Sequence, residues 1–273
     1  MVPWTGADFL DLLRNSGADT GSISNLNKQP ELYNLDAVAY ESLMLGLFNI
    51  FHGNDDGTPG SQEHMNDVTL GFSRDGFHWY RPDRRAFLPV SQRRGYWNWT
   101  NVQSVGGGCL VVGDKLYFYA TRRSPDRRTT GLATLRRDGF ASRDAGTQTG
   151  TLVTRPVVFQ GRHLFVNLDA DTGEMRVEIL SRGGQPIAPF TRENCLPLQV
   201  NSTLQAVRWQ GAEDLSQLAG EPVRFRFHIQ QGSLYSFWIS PDASGASHGY
   251  VGAGGPSFTR PTDMAGKKAY RRE

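Results

Sequence analysis

Gly71-Phe72-Ser73-Arg74-Asp75-Gly76-Phe77-His78-Trp79 is the stretch on which the fold turns. Residues 68–73 ahead of it alternate apolar and polar, and Asp75-Gly76 sits between two such runs, a strong short-range signal for a β-hairpin. The tetrapeptide Arg74-Asp75-Gly76-Phe77 returns as Arg137-Asp138-Gly139-Phe140, about 60 residues on, again behind strand-like runs at 115–120 and 131–135. A strand–strand–Asp-Gly–strand unit repeated at that period predicts β-propeller blades, with room for about two. Asp before Gly hydrogen-bonds its own turn backbone. Asp75 and Asp138 therefore read as residues that hold turns rather than as catalytic acids.

Working outward, residues 37–40 and 43–51 are apolar runs with polar or glycine borders, as buried strands are. Residues 54–60 read as a turn or loop. Nearer the N-terminus, 8–13 reads as a short helix and 15–29 as an irregular loop. Beyond residue 148 the texture changes. Runs at 164–168, 175–180, 204–209, 223–229 and 234–239 follow at short intervals, separated by turns such as Gly183-Gly184 and Gln231-Gly232-Ser233. Several alternate cleanly, which is the pattern of a β-sandwich. The expected organisation is an all-β chain: an irregular segment over 1–35, a partial β-propeller over 36–148, a β-sandwich over 149–241 and a surface tail over 242–273.

Composition bounds the function. The 273 residues are 38% hydrophobic and 21% charged, enough for a buried core, and Gly 31 with Pro 14 suits many turns. A net charge of +2 gives neither a nucleic-acid footprint nor an acidic tail. The basic pairs Arg122-Arg123 and Arg127-Arg128 read as a solvated loop. Cys109 and Cys195 have no metal or disulfide spacing, and Cys109, inside an apolar run, reads as a core thiol. No apolar run is long enough to span a bilayer as a helix, so no membrane partner is expected. No secretory signal is visible at Met1-Val2-Pro3-Trp4. The chain is thus expected in the cytoplasm if this N-terminus is complete, and outside the cell if a signal has been removed.

Residues 68–79, with Gly71 to Trp79 at their centre, resemble the strand-turn-strand of five-bladed propeller glycoside hydrolases, the invertase-like and arabinanase-like superfamily of glycoside hydrolase families 32 and 43. Residues 33–48 resemble a propeller strand carrying an inward carboxylate. A sandwich after the propeller is similar to the invertase-like branch. The resemblance covers the C-terminal part of such proteins, since five blades of about 60 residues would need roughly 300. Either the propeller is incomplete, or copies of this chain form a homo-oligomer that completes it, or the fragment does something else.

Glycoside cleavage usually takes two carboxyl groups, one protonating the leaving oxygen and the other attacking or activating water. The resemblance gives Glu41 the general-acid role. Asp36, five residues earlier, would orient it, raise its pKa by like charge or bind a sugar hydroxyl. Asp67 is a further candidate for the same funnel. Trp97 and Trp99 offer indole faces for sugar rings, Asn101 and Gln103 directional hydrogen bonds, and Trp79 completes the substrate-binding set. A core tryptophan pair is the competing reading. Gly106-Gly107-Gly108 is no phosphate loop, lacking a following Lys-Ser/Thr. The six histidines show no metal spacing, His64 near Asp67 being thin support, and no cofactor is expected. The expected function is a glycosidase acting on plant or microbial poly- or oligosaccharide, furanosides among them. The alternatives are a non-catalytic carbohydrate-binding module and a structural sandwich without a ligand.

Overall fold

The computed structural model describes residues 6–11, 30–52, 65–91, 96–99, 101–123 and 128–270. Among them the protein is all-β, its helical pieces being short 3-10 turns, and none of its sheets closes into a barrel. The arrangement is compatible with a partial propeller followed by a sandwich. The loops expected at 54–60 and 15–29 lie outside the described residues, as do His64 and Arg127. Of the helix expected at 8–13, residues 8–11 are described and contain a 3-10 turn, Phe9–Asp11.

The chain divides into two compact units. The first holds Met1–Val111, Tyr117–Thr134 and Gly249–Gly255; the second holds Val112–Leu116, Leu135–His248 and Pro256–Glu273. In the first unit, β1 (Glu31–Glu41), β2 (Leu43–Phe51), β3 (Asn66–Ser73) and β4 (Trp79–Tyr80) form an antiparallel meander. This is the up-and-down connectivity of a propeller blade. Leu45, Leu47, Phe48 and Ile50 of β2 are all buried, so its apolar run is continuous because both faces are covered. Gly46 and Gly71 stand opposite each other in the ladder, and a Cβ at either would strike Phe48, with Trp79 also against Gly46. The expected hairpin forms: β3 turns through 74–78 into β4, with Gly76 at φ 78°, a conformation that favours glycine. The expected turn role of Asp75 is borne out. Its Oδ1 accepts the backbone N–H of Phe77 (2.9 Å) and of His78 (2.8 Å).

A second sheet runs β5 (Leu110–Val112), β6 (Lys115–Arg123), β7 (Arg128–Arg136). Here the repeat breaks. After β7 the chain does not turn back into the same sheet. Arg137-Asp138-Gly139-Phe140 leads to β8 (Arg143–Ala145), which pairs with β14 (Gly232–Ser240). Arg137 is buried, its guanidinium 2.6 Å from the buried Asp263 carboxylate and within reach of the Phe258 and Tyr270 rings.

The second unit carries the sandwich strands. One sheet has β12 (Asn201–Ala206), β10 (His163–Asp169), β14 and β8 in that order. The other has β11 (Glu174–Ser181), β13 (Val223–Gln230) and β9 (Gly150–Val153). In β13, Val223, Phe225, Phe227 and Ile229 are buried while the residues between them are less so, the period of two expected of a strand with one face on a core. Phe225 and Phe227 meet Phe237 of β14 at ring distances of 5.8 and 5.1 Å, and Leu164, Val166, Val177 and Ile179 join the same core. Each such side chain contributes about 1.5–3 kcal/mol by leaving water.

The expectation of a surface tail from 242 onward is corrected. Ala246, Asp263 and Ala269 are buried, and β15 (Tyr250–Val251) adds to the free side of β1 through Tyr40↔Val251 and Glu41↔Tyr250. Small residues such as Gly and Ala, read as signs of a loose tail, here permit close packing: a Cβ on Gly266 would meet the Ser244 backbone.

Candidate functional site

The three candidate acids all belong to the first unit, and its strands set them apart. Glu41 ends β1 in the two-residue turn to β2, since Tyr40 faces Leu43. It is held at φ 50°, an uncommon conformation for a residue with a Cβ. Its carboxylate lies against Gly249, where a Cβ would collide with Oε2. Asp36 is tied down differently, its Oδ2 accepting the Val105 N–H at 2.8 Å. Asp67 is wholly buried at the start of β3, opposite Ile50.

Register decides whether these acids can work together. Asp36 faces Leu47 and Asp67 faces Ile50. Leu47 and Ile50 are three residues apart on one strand, so Asp36 and Asp67 project from opposite faces of the sheet. Seven residues of β2 separate the Glu41 end from the Asp67 end, about 23 Å at 3.3 Å per residue. A catalytic pair needs carboxyl groups about 5–9.5 Å apart. Asp36 and Glu41 stand five residues apart along β1, about 16 Å, so the described residues place no two of these three acids as such a pair.

Asp67 has instead a neighbour that spacing did not reveal. His52 Nε2 stands 2.9 Å from Asp67 Oδ1, both side chains buried. The approach is off the line of a hydrogen bond, and the two ring nitrogens and two carboxylate oxygens have no hydrogen-bond partner among the described residues. On the same strand face, Thr69 Oγ1 accepts from Arg81 at 2.7 Å, and Arg81 donates to Asp11 at 2.9 Å and lies over the Phe48 ring. Burial lowers the Arg81 pKa, while the hydrogen bond and charge of Asp11 oppose that shift. On the opposite face a buried amide chain runs from Asn101 to Asn66 (3.1 Å) and from Asn66 to Asn49 (2.8 Å). Asn49 Nδ2 closes it by donating to the carbonyls of Val102 and Asp67. Asn101 is thus spent on structure.

The aromatic candidates divide. Trp79 donates its Nε1–H to the Gly76 carbonyl (3.1 Å) and meets Phe48 edge-on, a packing role. Trp97 lies flat across Gly131, where a Cβ would strike the indole. Trp99 carries the Arg122 guanidinium 5.2 Å from its ring, and Arg122 Nε donates to the Trp99 carbonyl at 2.8 Å. Arg122 is therefore a buried residue of β6 stacked on an indole, which corrects the solvated-loop reading. Strand alternation turns it inward, and its aromatic partner lies 23 residues away in sequence.

Gln103, Thr121, Arg122, Arg128, Thr129 and Thr130 line a cavity of about 340 Å³. Gln103 is held there by its backbone N–H to the Thr121 carbonyl (2.8 Å) and by donating Nε2–H to the exposed Tyr33 hydroxyl (2.9 Å). Thr129 Oγ1 donates to the Trp97 carbonyl at 3.2 Å. Hydroxyls, an amide and two guanidinium groups around one opening suit a polyhydroxylated ligand. The volume lies at the lower end of small-molecule sites, about 300–1,000 Å³. Of the sequence-derived set, Gln103 alone lines this cavity, while Trp97 and Trp99 brace its walls.

No protein-family model matches the chain, and no curated protein does. Among solved structures it is similar to a glycosyl hydrolase from Bacteroides ovatus, a crystal structure at 2.30 Å resolution, with 15% identity and a TM-score of 0.30. The match covers 50% of this chain and 40% of that one. A likeness this slight assigns no function. Among the described residues, no cluster of three or more His, Cys, Asp or Glu could hold a metal ion, and no helix is long and apolar enough to cross a membrane.

Proposed function

We propose that this chain handles carbohydrate as a glycoside hydrolase or part of one, acting on plant or microbial poly- or oligosaccharide, furanosides among them. The observation that carries this reading is the polar cavity lined by Gln103, Thr121, Arg122 and residues 128–130, whose Thr129 and Arg122 are braced by the Trp97 and Trp99 carbonyls. Its donors and acceptors are those that sugar hydroxyls pair with, and all but Gln103 sit on β6 or β7, which fixes their directions. Of the three acids, Asp67 is wholly buried and has the His52 ring 2.9 Å away. Glu41 carries backbone strain of the kind that clusters at functional sites.

The second reading is a non-catalytic carbohydrate-binding module. It is favoured by the separation of Glu41, Asp36 and Asp67. One set of measurements divides the two: release of reducing ends and calorimetric binding on the same panel of glycans. Under the glycosidase reading the wild type turns over at least one glycan, and Asp67→Asn or Glu41→Gln lowers the rate at least 100-fold with an unchanged melting curve. Under the module reading there is binding without turnover, weakened about tenfold by Gln103→Ala with Arg128→Ala. Neither binding nor turnover by the wild type overturns both.

A further inference from the structure

The sandwich unit holds a cavity of its own, of about 380 Å³. Leu164, Leu196, Val207 and Leu215 give it an apolar part to its lining. Phe165 is buried there against Trp238, and Trp209 is fixed by donating its Nε1–H to the Val177 carbonyl at 2.9 Å. Its walls are charged, and the charges are unequally matched. Asp214 is already taken: the Ser216 hydroxyl and amide, with Arg162 at 2.6 Å, hold its pKa down to about 2. His163, Arg208 and Lys267 also line the cavity, and none of them forms an ion pair among the described residues. Glu213 is the remaining carboxylate.

We propose that this cavity binds an acidic sugar, a hexuronate residue of an oligosaccharide, with its carboxylate on Arg208 and Lys267 and its ring over the Trp209 side. The inference rests on the reading that the chain handles carbohydrate, and adds a second subsite on a different unit with a different ligand class. A hexuronate has what the cavity asks for. Its ring presents C–H groups to the apolar lining, and its carboxylate takes charge-assisted hydrogen bonds from a guanidinium fork and an ammonium. His163 adds a ring N–H donor. A neutral sugar would leave the cations unmatched, and a free inorganic anion would leave the apolar lining uncovered.

The test is calorimetry on the full chain with a glucuronate trisaccharide, against a neutral glucose trisaccharide and inorganic sulfate. The uronide binds, and raising salt from 50 to 300 mM weakens it several-fold, as screening of an ionic contact requires. The double variant Arg208→Ala, Lys267→Ala weakens it at least tenfold. Both side chains are exposed, so the variant keeps the wild-type melting curve. Gln103→Ala leaves uronide binding here unchanged, which separates failure at this site from failure at the cavity in the first unit. The proposal is overturned if the uronide does not bind, if the double variant binds it as tightly as wild type, or if sulfate or the neutral trisaccharide binds equally well.

Discussion

The two Arg-Asp-Gly-Phe segments share four residues and almost nothing else. At 74–77 the arginine is exposed, the aspartate organises the turn, and Gly76 takes the left-handed conformation. At 137–140 the arginine is buried on Asp263, and Asp138 rather than the glycine is left-handed, at φ 55°. The first segment joins two strands of one sheet; the second carries the chain out of a sheet. A short motif specifies a turn only when the flanking strands have each other to pair with. Where they do not, the same side chains are put to other work, and here the arginine becomes an anchor.

The comparison can be broken at several points. The largest effect is expected at Arg137. Arg137→Met leaves the Asp263 carboxylate buried without its partner and should cost about 3–5 kcal/mol, whereas Arg74→Met should stay within about 0.5 kcal/mol. Equal losses in urea unfolding would erase the contrast. Next comes Gly76→Ala. It forces a Cβ into a left-handed residue and toward Met44 Sδ at 3.2 Å, costing about 1–2 kcal/mol; a neutral result would mean that the turn relaxes.

A smaller effect should carry a pH signature. The His78 amide, then its ring, then the Phe77 amide hold the Asp75 carboxyl well below the usual carboxylate range. A depressed folded-state pKa stabilises above the unfolded value, near 3.9, and that contribution fades as pH falls toward the folded value. Asp75→Ala should therefore cost stability fully at pH 5–7, and the gap to wild type should shrink below about pH 4. A gap independent of pH would assign the effect to packing. The smallest change is expected at Phe77, which is 67% exposed. Phe77→Ser should move stability by no more than about 0.5 kcal/mol, and a larger loss would reveal a contact at that turn.

The same contrast explains what the sequence could tell. The alternation of Val223, Phe225, Phe227 and Ile229 is a local pattern with a local cause, one face toward a core, and it was legible. So was the burial of Cys109 within its apolar run. The turn at 74–78 was legible because its hydrogen bonds reach only three residues. What escaped reading depends on distant partners. Arg137 meets Asp263 across 126 residues, and Arg122 meets Trp99 across 23. His52 lies beside Asp67 because β2 and β3 pair, which no spacing rule encodes. The acids Glu41, Asp36 and Asp67 were visible as residue types, but which sheet face each occupies follows from register alone.

The pairing of β15 with the end of β1 has a temporal consequence. A ribosome delivers Tyr40 and Glu41 about two hundred residues before the Tyr250 and Val251 that pair with them. At 5–20 residues per second that is a delay of roughly 10–40 s. Throughout that interval the nascent chain carries an open strand edge, the kind of surface that recruits wrong partners. Growth conditions that slow elongation should therefore lower the soluble yield of this chain more than that of a protein whose early strands pair with their immediate successors.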